Sequence, residues 1–243
     1  IVYEEDSSCD FIITVLSKDD DIHFSHLKEL VTSSKNACGN ITFINFLNKN
    51  SSSFYALENE VLENASITHT INDLGGKTRL YNVYSHLLER ASNTVNTIYI
   101  GKDDALLDFN YYLVNTGRES NNQMRVEGVL DDRSSKNFRG TIDFIKGCSA
   151  SIGEENENCV LLTDTCRSRS LPQLLCGEED VVGAHGVSSG KVSDEKLFYL
   201  MSRGYSKKEA EKFIILGNFM SILESIPLEE VCSQLLEQIE KEI

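Results

Sequence analysis

Short runs of β-branched and aromatic residues recur along most of this chain, and this recurrence limits the folds that it can adopt. Between Gly39 and Gly190 such runs begin about every dozen residues, and Asn, Asp, Ser and Gly, which favour turns, separate them. Sequences such as Thr-Ile-Tyr-Ile alternate with the period of two that is typical of strands. The predicted strands are residues 41–47, 66–71, 79–84, 95–100, 105–114, 124–130, 141–145, 160–162, 171–175 and 181–184.

Strands at this spacing are typical of a sandwich, a barrel or a solenoid. The repetition continues for longer than a minimal sandwich needs, and its turns are small and polar, as corners between stacked coils would be. Pattern alone leaves the solenoid and the sandwich nearly equal.

The N-terminal segment, residues 1–39, shows the weakest pattern. Residues 11–16 predict a strand, and residues 23–31 predict a short helix with Phe24, Leu27 and Leu30 on one side. His23 and His26 follow three aspartates, a composition that suggests metal ligands, but a solvated acidic turn is the preferred interpretation. No function is assigned to this segment.

The C-terminal residues change to helical periodicity. Ser193 is a predicted N-cap, Gly204 a predicted C-cap, and Ser206 with Glu209 matches a capping box. Pro227 is expected to open a third helix. The residues expected on the inward face of the second helix are Ala210, Phe213, Ile214, Gly217 and Met220.

Charge and cysteine content restrict the partners and the compartment. The chain carries 23 basic and 38 acidic residues, a net charge of −15, which disfavours nucleic acid and anionic membrane surfaces as partners. Seven cysteines without a Cys-x-x-Cys pair favour free thiols in a reducing, cytoplasmic compartment.

Five segments resemble, in order, the signature of the SufB/SufD family of iron–sulfur cluster assembly proteins. Residues 128–142 read Gly-Val-Leu-Asp-Asp-Arg-Ser-Ser-Lys-Asn-Phe-Arg-Gly-Thr-Ile, and residues 157–164 read Glu-Asn-Cys-Val-Leu-Leu-Thr-Asp. Residues 171–175, 180–186 and 197–204 follow as Leu-Pro-Gln-Leu-Leu, Asp-Val-Val-Gly-Ala-His-Gly and Leu-Phe-Tyr-Leu-Met-Ser-Arg-Gly.

The resemblance implies a mainly β fold, a right-handed parallel β-helix with a small C-terminal helical subdomain. We therefore expect a β-helix core over residues 40–192 and helices over residues 193–243. It also implies a non-enzymatic scaffold for iron and sulfur, which pairs as a SufB/SufD-type homodimer or heterodimer. The implied second partner is SufC, an ABC-type ATPase, which would dock on the helices and hydrolyse the ATP.

Within the family, this chain is SufD-like or belongs to an undivided branch. Its His185 is followed by Gly186, as in SufD, where SufB has Glu. The sulfur-receiving cysteine of SufB would fall near Glu157, and the cysteine of SufD would fall at Gly183. The chain therefore has the family's histidine without either cysteine.

Two residues are candidate ligands for an iron–sulfur cluster that binds transiently and could be shared across a dimer interface: His185 and Cys176. Asp180 or Glu179 is expected to accept a hydrogen bond from the other ring nitrogen of His185. A buried apolar role is preferred for Cys148 and Cys232, and for Cys176 as well it is preferred to a ligand role. Arg167 and Arg169 flank Ser168 beside Cys166 and would lower a thiol pKa, although surface charges are the more frequent explanation.

Phe198, Tyr199 and Arg203 are the candidate contacts with the ATPase, since apolar side chains cover every side of the first helix. Two alternatives to the scaffold stay open. A β-helix carbohydrate-active enzyme would use clustered acids such as those in residues 131–133, and a degenerate family member would serve only as a structural partner.

Overall fold

Fourteen parallel strands followed by three helices make up the fold. The computed structural model describes all 243 residues. The strands are β1 (Val2–Tyr3), β2 (Ser8–Leu16), β3 (Phe24–Ser33), β4 (Cys38–Phe46), β5 (Ser52–Val61), β6 (Ser66–Asp73), β7 (Thr78–Leu87), β8 (Ser92–Gly101), β9 (Leu106–Asn115), β10 (Asn121–Leu130), β11 (Ser135–Phe144), β12 (Ser151–Leu161), β13 (Arg167–Cys176) and β14 (Val181–Gly190). The helices are α1 (Asp194–Ser202), α2 (Lys207–Leu223) and α3 (Glu229–Glu242).

The chain winds back and forth between two seven-stranded parallel sheets. The odd-numbered strands form one sheet and the even-numbered strands form the other. Each strand pairs with the strand two positions later, so that Ser52 lies beside Thr78 and Ser135 beside Arg167, one coil further along the chain. This arrangement is a parallel β-helix. It confirms the predicted solenoid and excludes an antiparallel sandwich.

The inward faces of the two sheets enclose a lumen that is filled by apolar side chains, with aromatic rings in contact from coil to coil. The rings of Phe43 and Tyr55 are stacked with centroids 4.3 Å apart, and those of Tyr81 and Phe109 lie 5.1 Å apart. All four side chains are buried. Because each coil places an apolar side chain over the one before it, the core is a continuous column along the solenoid axis.

The corners that lead from odd to even strands are stacked as well. Asp6, Asn36, Asn64 and Arg90 have φ values between 54° and 60°, the left-handed region that Asn and Asp tolerate better than most residues. Asn36 Nδ2 donates to Asp6 Oδ1 at 2.8 Å, Asn64 Nδ2 to Asn36 Oδ1 at 3.1 Å, and Arg90 Nε to Asn64 Oδ1 at 2.7 Å. We call these four residues the corner ladder.

All ten predicted strand runs overlap strands of the structure. The pattern did not indicate β5, where polar residues (Ser, Glu and Asn) lie on both sides of a short apolar run. The N-terminal segment contributes β1 to β3, and its strands β2 and β3 pair in register with β4 and β5 and extend the same two sheets.

The predicted strand at residues 11–16 lies within β2 and is confirmed, but the helix predicted over residues 23–31 is wrong. This segment is strand β3, in which Leu27, Glu29 and Val31 face the lumen. Phe24 and Leu30 are apolar but exposed on the outer face. Because apolar residues lie on both faces of β3, their spacing in the sequence matches that of the apolar face of a helix.

The three helices begin and end close to the predicted residues. Ser206 and Glu209 form the predicted capping box, and Gly204 takes a φ of 100° after α1. Ser193 is the N-cap of α1, although its side chain makes no capping hydrogen bond. Helix α3 begins at Glu229 with Leu228 as its N-cap, so Pro227 precedes the helix and does not open it. No helix is both long and apolar enough to cross a membrane.

The helices cover the outer face of the even sheet. Ile215 and Phe219 of α2 belong to one buried cluster with Ile98 and Val129 of that sheet. The inward face predicted for α2 is partly wrong, because Phe213 and Gly217 are exposed. Nearly every side of α2 carries apolar residues, so periodicity alone did not select the face.

Candidate functional site

The solenoid ends in an open coil. Strands β13 and β14 are the last strands of their sheets, and neither has a partner on its outer side. Almost every residue of β14 is exposed. The inward-facing side chains of this coil therefore lie at the mouth of the lumen.

His185 is one of these inward-facing residues. A Cβ atom placed on Gly183 would lie 3.4 Å from Leu174 Cδ1 and 3.3 Å from Phe144, so position 183 faces the lumen. His185, two residues later in the same strand, faces the same way. Its backbone pairs in register with Glu155 of β12, and His185 therefore stands directly over Glu155.

Glu155 is completely buried, and neither of its carboxylate oxygens has a hydrogen-bond partner. Its carboxylate lies against Gly140 of β11, where an added Cβ would come within 2.2 Å of Oε1. Burial, and then the charge of Glu157, raises the pKa of Glu155 to about 7. A buried carboxyl group without partners is costly, and such groups are frequent at functional sites.

Lys136 and Glu157 form a buried ion pair beside Glu155. Lys136 Nζ also donates to Ser170 Oγ at 2.9 Å and lies 5.8 Å from the centre of the Phe138 ring. Glu157 Oε2 has no partner. We call Lys136, Glu155, Glu157 and Ser170 the end cluster. Its single cation pairs with Glu157 and leaves Glu155 unpaired, so the cluster is not saturated.

The end cluster was not predicted from the sequence. The signal that could have revealed it is the alternation in residues 154–159, Glu-Glu-Asn-Glu-Asn-Cys, which places Glu155, Glu157 and Cys159 on one face of the strand. Sequence alone does not show which face is inside.

Cys176 lies at the same open end but not beside His185. Because Gly183 faces Leu174, His185 faces the region of Pro172, and Cys176 is four residues away along β13, about 13 Å in a strand. Cys176 is exposed, and all seven cysteines of the chain are free. No three His, Cys, Asp or Glu side chains of this chain are grouped closely enough to hold a metal ion.

The other cysteines of this region are core residues. Cys148 is buried with Ile142 and Phe144, and Cys232 is half-buried against the helical cluster. Cys159 is also buried, and burial raises the pKa of its thiol. Cys166 is buried too, and its Sγ donates to the carbonyl oxygen of Thr163 at 3.0 Å.

The sequence predicts Asp180 or Glu179 as the hydrogen-bond acceptor for the ring of His185, but the structure does not bring Asp180 to that ring. Asp180 accepts a hydrogen bond from Ser149 Oγ at 2.6 Å, at the corner before β14. Five residues of extended chain, about 16 Å, separate it from His185. The residue beneath the ring is Glu155.

Comparison with known proteins agrees with this architecture. The profile of the family described as "SUF system FeS cluster assembly, SufBD core domain" matches residues 1–218. The chain belongs to the SufBD family. It is 31% identical over 147 residues, 60% of its length, to the iron–sulfur cluster assembly protein SufD of Bacillus subtilis, of which it covers 34%.

A second SufD protein, from Escherichia coli, is 24% identical over 227 residues, 92% of this chain and 53% of that protein. A SufBD family protein of Pyrococcus horikoshii is 28% identical over 173 residues, 71% of this chain and 38% of the relative. The SufBD-family chain thus spans between a third and just over half of the length of these relatives.

The acids that would support a carbohydrate-active enzyme in this SufBD-family chain are engaged in a corner. Asp132 Oδ2 accepts from the backbone N–H of Asp103 at 3.0 Å, and Asp131 Oδ1 accepts from that of Asp132 at 2.8 Å. Arg133 binds both carboxylate oxygens of Asp104 at 2.7 and 3.0 Å. Asp104, Asp131 and Asp132 thus each have a partner within the stacked turns.

A polar groove of about 730 Å³ between the even sheet and α2 carries Glu127 and Glu154. Glu127 pairs in register with Asn158, four residues beyond Glu154, which separates the two backbones by about 13 Å along the strands. Glu154 Oε1 accepts from Asn156 at 2.7 Å and Glu127 Oε2 from Asn158 at 2.9 Å, so neighbouring side-chain amides engage both carboxylates.

Helix α1 divides into a buried and an exposed face. Leu197 is buried, whereas Phe198 is 74% and Tyr199 57% exposed. The Arg203 guanidinium lies 5.3 Å from the centre of the Tyr199 ring. Phe213 of α2 is also exposed, with its ring 6.1 Å from that of Tyr205. The helical subdomain therefore presents aromatic side chains that the chain itself does not cover.

Proposed function

We propose that this chain is a non-enzymatic scaffold subunit of a SUF-type iron–sulfur cluster assembly complex. Membership of the SufBD family supports the assembly role, and the resemblance to SufD supports a subunit without the SufB cysteine. The observation that carries the proposal is the open last coil, where His185 stands over an unsaturated buried carboxylate.

Pairing with another SufBD-type chain would occur at the open coil. Exposed strand edges normally carry charges, proline or bulges that prevent association. Strand β14 is ten residues long, contains no Lys, Arg, Asp, Glu or Pro, and is unpaired on its outer side. A second chain that pairs with this edge, as a homodimer or a SufB/SufD heterodimer, would cover it and place His185 at the interface.

The iron–sulfur cluster is the cargo of this scaffold. A transient cluster would take His185 as one ligand, and Cys176 at the same end is the second candidate. Because these two side chains are not adjacent, further ligands would come from the paired chain. The site would therefore be shared between two subunits.

The exposed aromatic side chains of the helices would form the contact with a SufC-type ABC ATPase, which would hydrolyse the ATP. Phe198 and Tyr199 are the apolar anchors, and Arg203 supplies a charge beside them. Aromatic and arginine side chains are the residues enriched in binding hot spots.

Two experiments test the proposal. In the first, pull-down with the ATPase is measured for wild type and for the double variant Phe198→Ala/Tyr199→Ala, with Leu228→Ala, an exposed apolar residue away from α1, as control. We expect the double variant to lose at least tenfold in affinity at an unchanged melting temperature. Retained affinity would contradict docking through α1.

In the second, the complex with its SufBD partner is reconstituted anaerobically with iron and sulfide, and the cluster is followed by absorbance and by iron stoichiometry. We expect His185→Ala to reduce loading while the solenoid remains folded. A complex that pairs normally but takes up no iron would identify the chain as a structural partner only.

A further inference from the structure

The lumen beneath His185 contains a group that no interaction in the folded chain explains. Glu155 is fully buried, and both of its oxygens are without partners. Its neighbour Glu157 already pairs with Lys136, so Glu155 is the carboxylate that remains unpaired. The chain also makes room for it, because any side chain at position 140 would collide with its carboxylate.

We propose that Glu155 is the positioning residue of His185: its carboxylate accepts the inward N–H of the imidazole ring. The two residues pair in register on adjacent strands and face the same lumen, which brings their Cβ atoms to roughly 5 Å from each other. The other carboxylates are less well placed: Asp180 is engaged by Ser149 at the preceding corner, and Glu157 pairs with Lys136 and lies in register with Val187, not with His185.

A hydrogen bond from one ring nitrogen fixes the tautomer of a histidine. With its N–H directed down to Glu155, the other nitrogen of His185 carries the lone pair and points out of the open coil. His185 is thereby presented as a ligand to whatever binds at the mouth of the lumen. This consequence rests on the proposed function, whereas the hydrogen bond itself does not.

The hydrogen bond is tested by nitrogen-15 NMR of the imidazole rings in the full chain, with the His185 signals assigned from His185→Gln. We expect one ring nitrogen of His185 to carry a proton that exchanges slowly with water. Glu155→Gln keeps an acceptor and should retain this signal, whereas Glu155→Met should lose it. Glu154→Gln, on the outward face of the same strand, is the matched control and should change nothing.

Unfolding would not explain the loss in Glu155→Met. Methionine has a similar length and replaces an unpartnered buried carboxylate with an apolar chain, so we expect its melting temperature to be no lower than that of wild type. An identical His185 ring signal in wild type and Glu155→Met would overturn the proposal.

Cluster loading of the paired complex provides the second measurement. Loss of an outer hydrogen-bond partner typically reduces metal affinity by about 10- to 100-fold, so Glu155→Met should weaken iron loading by at least tenfold and Glu155→Gln by much less. If the NMR results hold while wild type itself takes up no iron, the positioning role stands and the proposed function fails. If loading depends on His185 but not on Glu155, the positioning role fails and the proposed function stands.

Discussion

Two buried charged clusters lie in the same lumen, and they differ in how completely their polar groups are used. In the middle coils, Asp73 Oδ2 is 3.1 Å from Arg79 Nη1, and its Oδ1 accepts from Tyr81 at 2.7 Å and from Asn45 at 2.9 Å. We call these four residues the middle cluster. Arg79 also donates to two carbonyl oxygens. The atoms of its ion pair without a hydrogen bond are its Nε and Asp73 Oδ2, and Oδ2 still faces the guanidinium.

The end cluster has the opposite character. Its one cation, Lys136, pairs with Glu157 alone, and three of the four carboxylate oxygens have no partner. A network in which every charge is paired rigidifies the coils around it, whereas one with an unpaired carboxylate carries a free-energy cost that the fold itself does not recover. The difference indicates that the middle cluster is structural and that the end cluster is kept for an interaction at the mouth of the lumen.

The largest effect is expected from Arg79→Met. Without the guanidinium, the buried carboxylate of Asp73 loses its counter-charge, and the free energy of unfolding should fall by about 4 kcal/mol. Chemical denaturation measures the change, with the exposed neighbour Lys77→Met as control. A loss below about 1 kcal/mol would show that the middle cluster is not structural.

Lys136→Met should cost somewhat less, about 3 kcal/mol, because Lys136 makes one hydrogen bond besides its ion pair whereas Arg79 makes two. The double variant Lys136→Met/Glu157→Gln should recover most of this loss, since it also removes the carboxylate that Lys136 neutralises. The same denaturation assay applies. A double variant as unstable as the single one would show that the loss does not come from an unpaired Glu157 carboxylate.

The third prediction concerns pH. Burial raises the pKa of Glu155 from 4.5 to about 7, so the folded chain holds this proton more tightly than the unfolded chain. The contribution of Glu155 to stability is therefore fully present below pH 4.5 and is lost as the pH rises through about 7. Relative to Glu155→Gln, which does not titrate, wild type should lose about 3 kcal/mol between about pH 4.5 and about pH 8.

Glu29, in the first coils, has its pKa raised to about 7 by burial and provides a second test of the same kind. Glu29→Gln should remove its own contribution to the pH dependence of the free energy of unfolding. This contribution is independent of Glu155, because the two carboxylates occupy opposite ends of the solenoid. Flat pH profiles that coincide for wild type and both variants would contradict the burial of these carboxyl groups.

The smallest losses of stability are expected when one hydrogen bond is removed from each cluster. Tyr81→Phe removes a donor to Asp73 and should cost about 2 kcal/mol. Ser170→Ala removes one acceptor from Lys136 and should cost about 1 kcal/mol, because unpaired carboxylate oxygens lie close enough to replace it. A larger loss for Ser170→Ala than for Tyr81→Phe would reverse the ranking of the two clusters.

Much of the fold follows from local chemistry that is visible in the sequence. The period of two, the turn residues at the corners and the capping box at Ser206 are properties of neighbouring residues, and each was predicted correctly. The helix predicted at residues 23–31 failed because β3 carries apolar residues on both faces. Its true partner, β5, lies a whole coil further along the chain, and no local pattern specifies such a pairing.

The candidate site was predictable only in part. His185 stood out because it lies among glycines and small residues, and the family resemblance gave it a role. Glu155 did not stand out, because an acidic residue in an alternating strand is normally on the solvent side. Its burial results from the coil that follows, in which β14 places His185 over it.

The corner ladder has a consequence for how this fold changes length. Ser92 occupies in β8 the position that Ser66 occupies in β6, and each follows an alanine that closes an equivalent corner. Excising residues 66–91 would join Ala65 to Ser92 and leave every remaining strand in phase with its neighbours. A chain built in this way can gain or lose a whole coil without changing the geometry of its open end. Evolution can therefore adjust the distance between its two ends in steps of one coil.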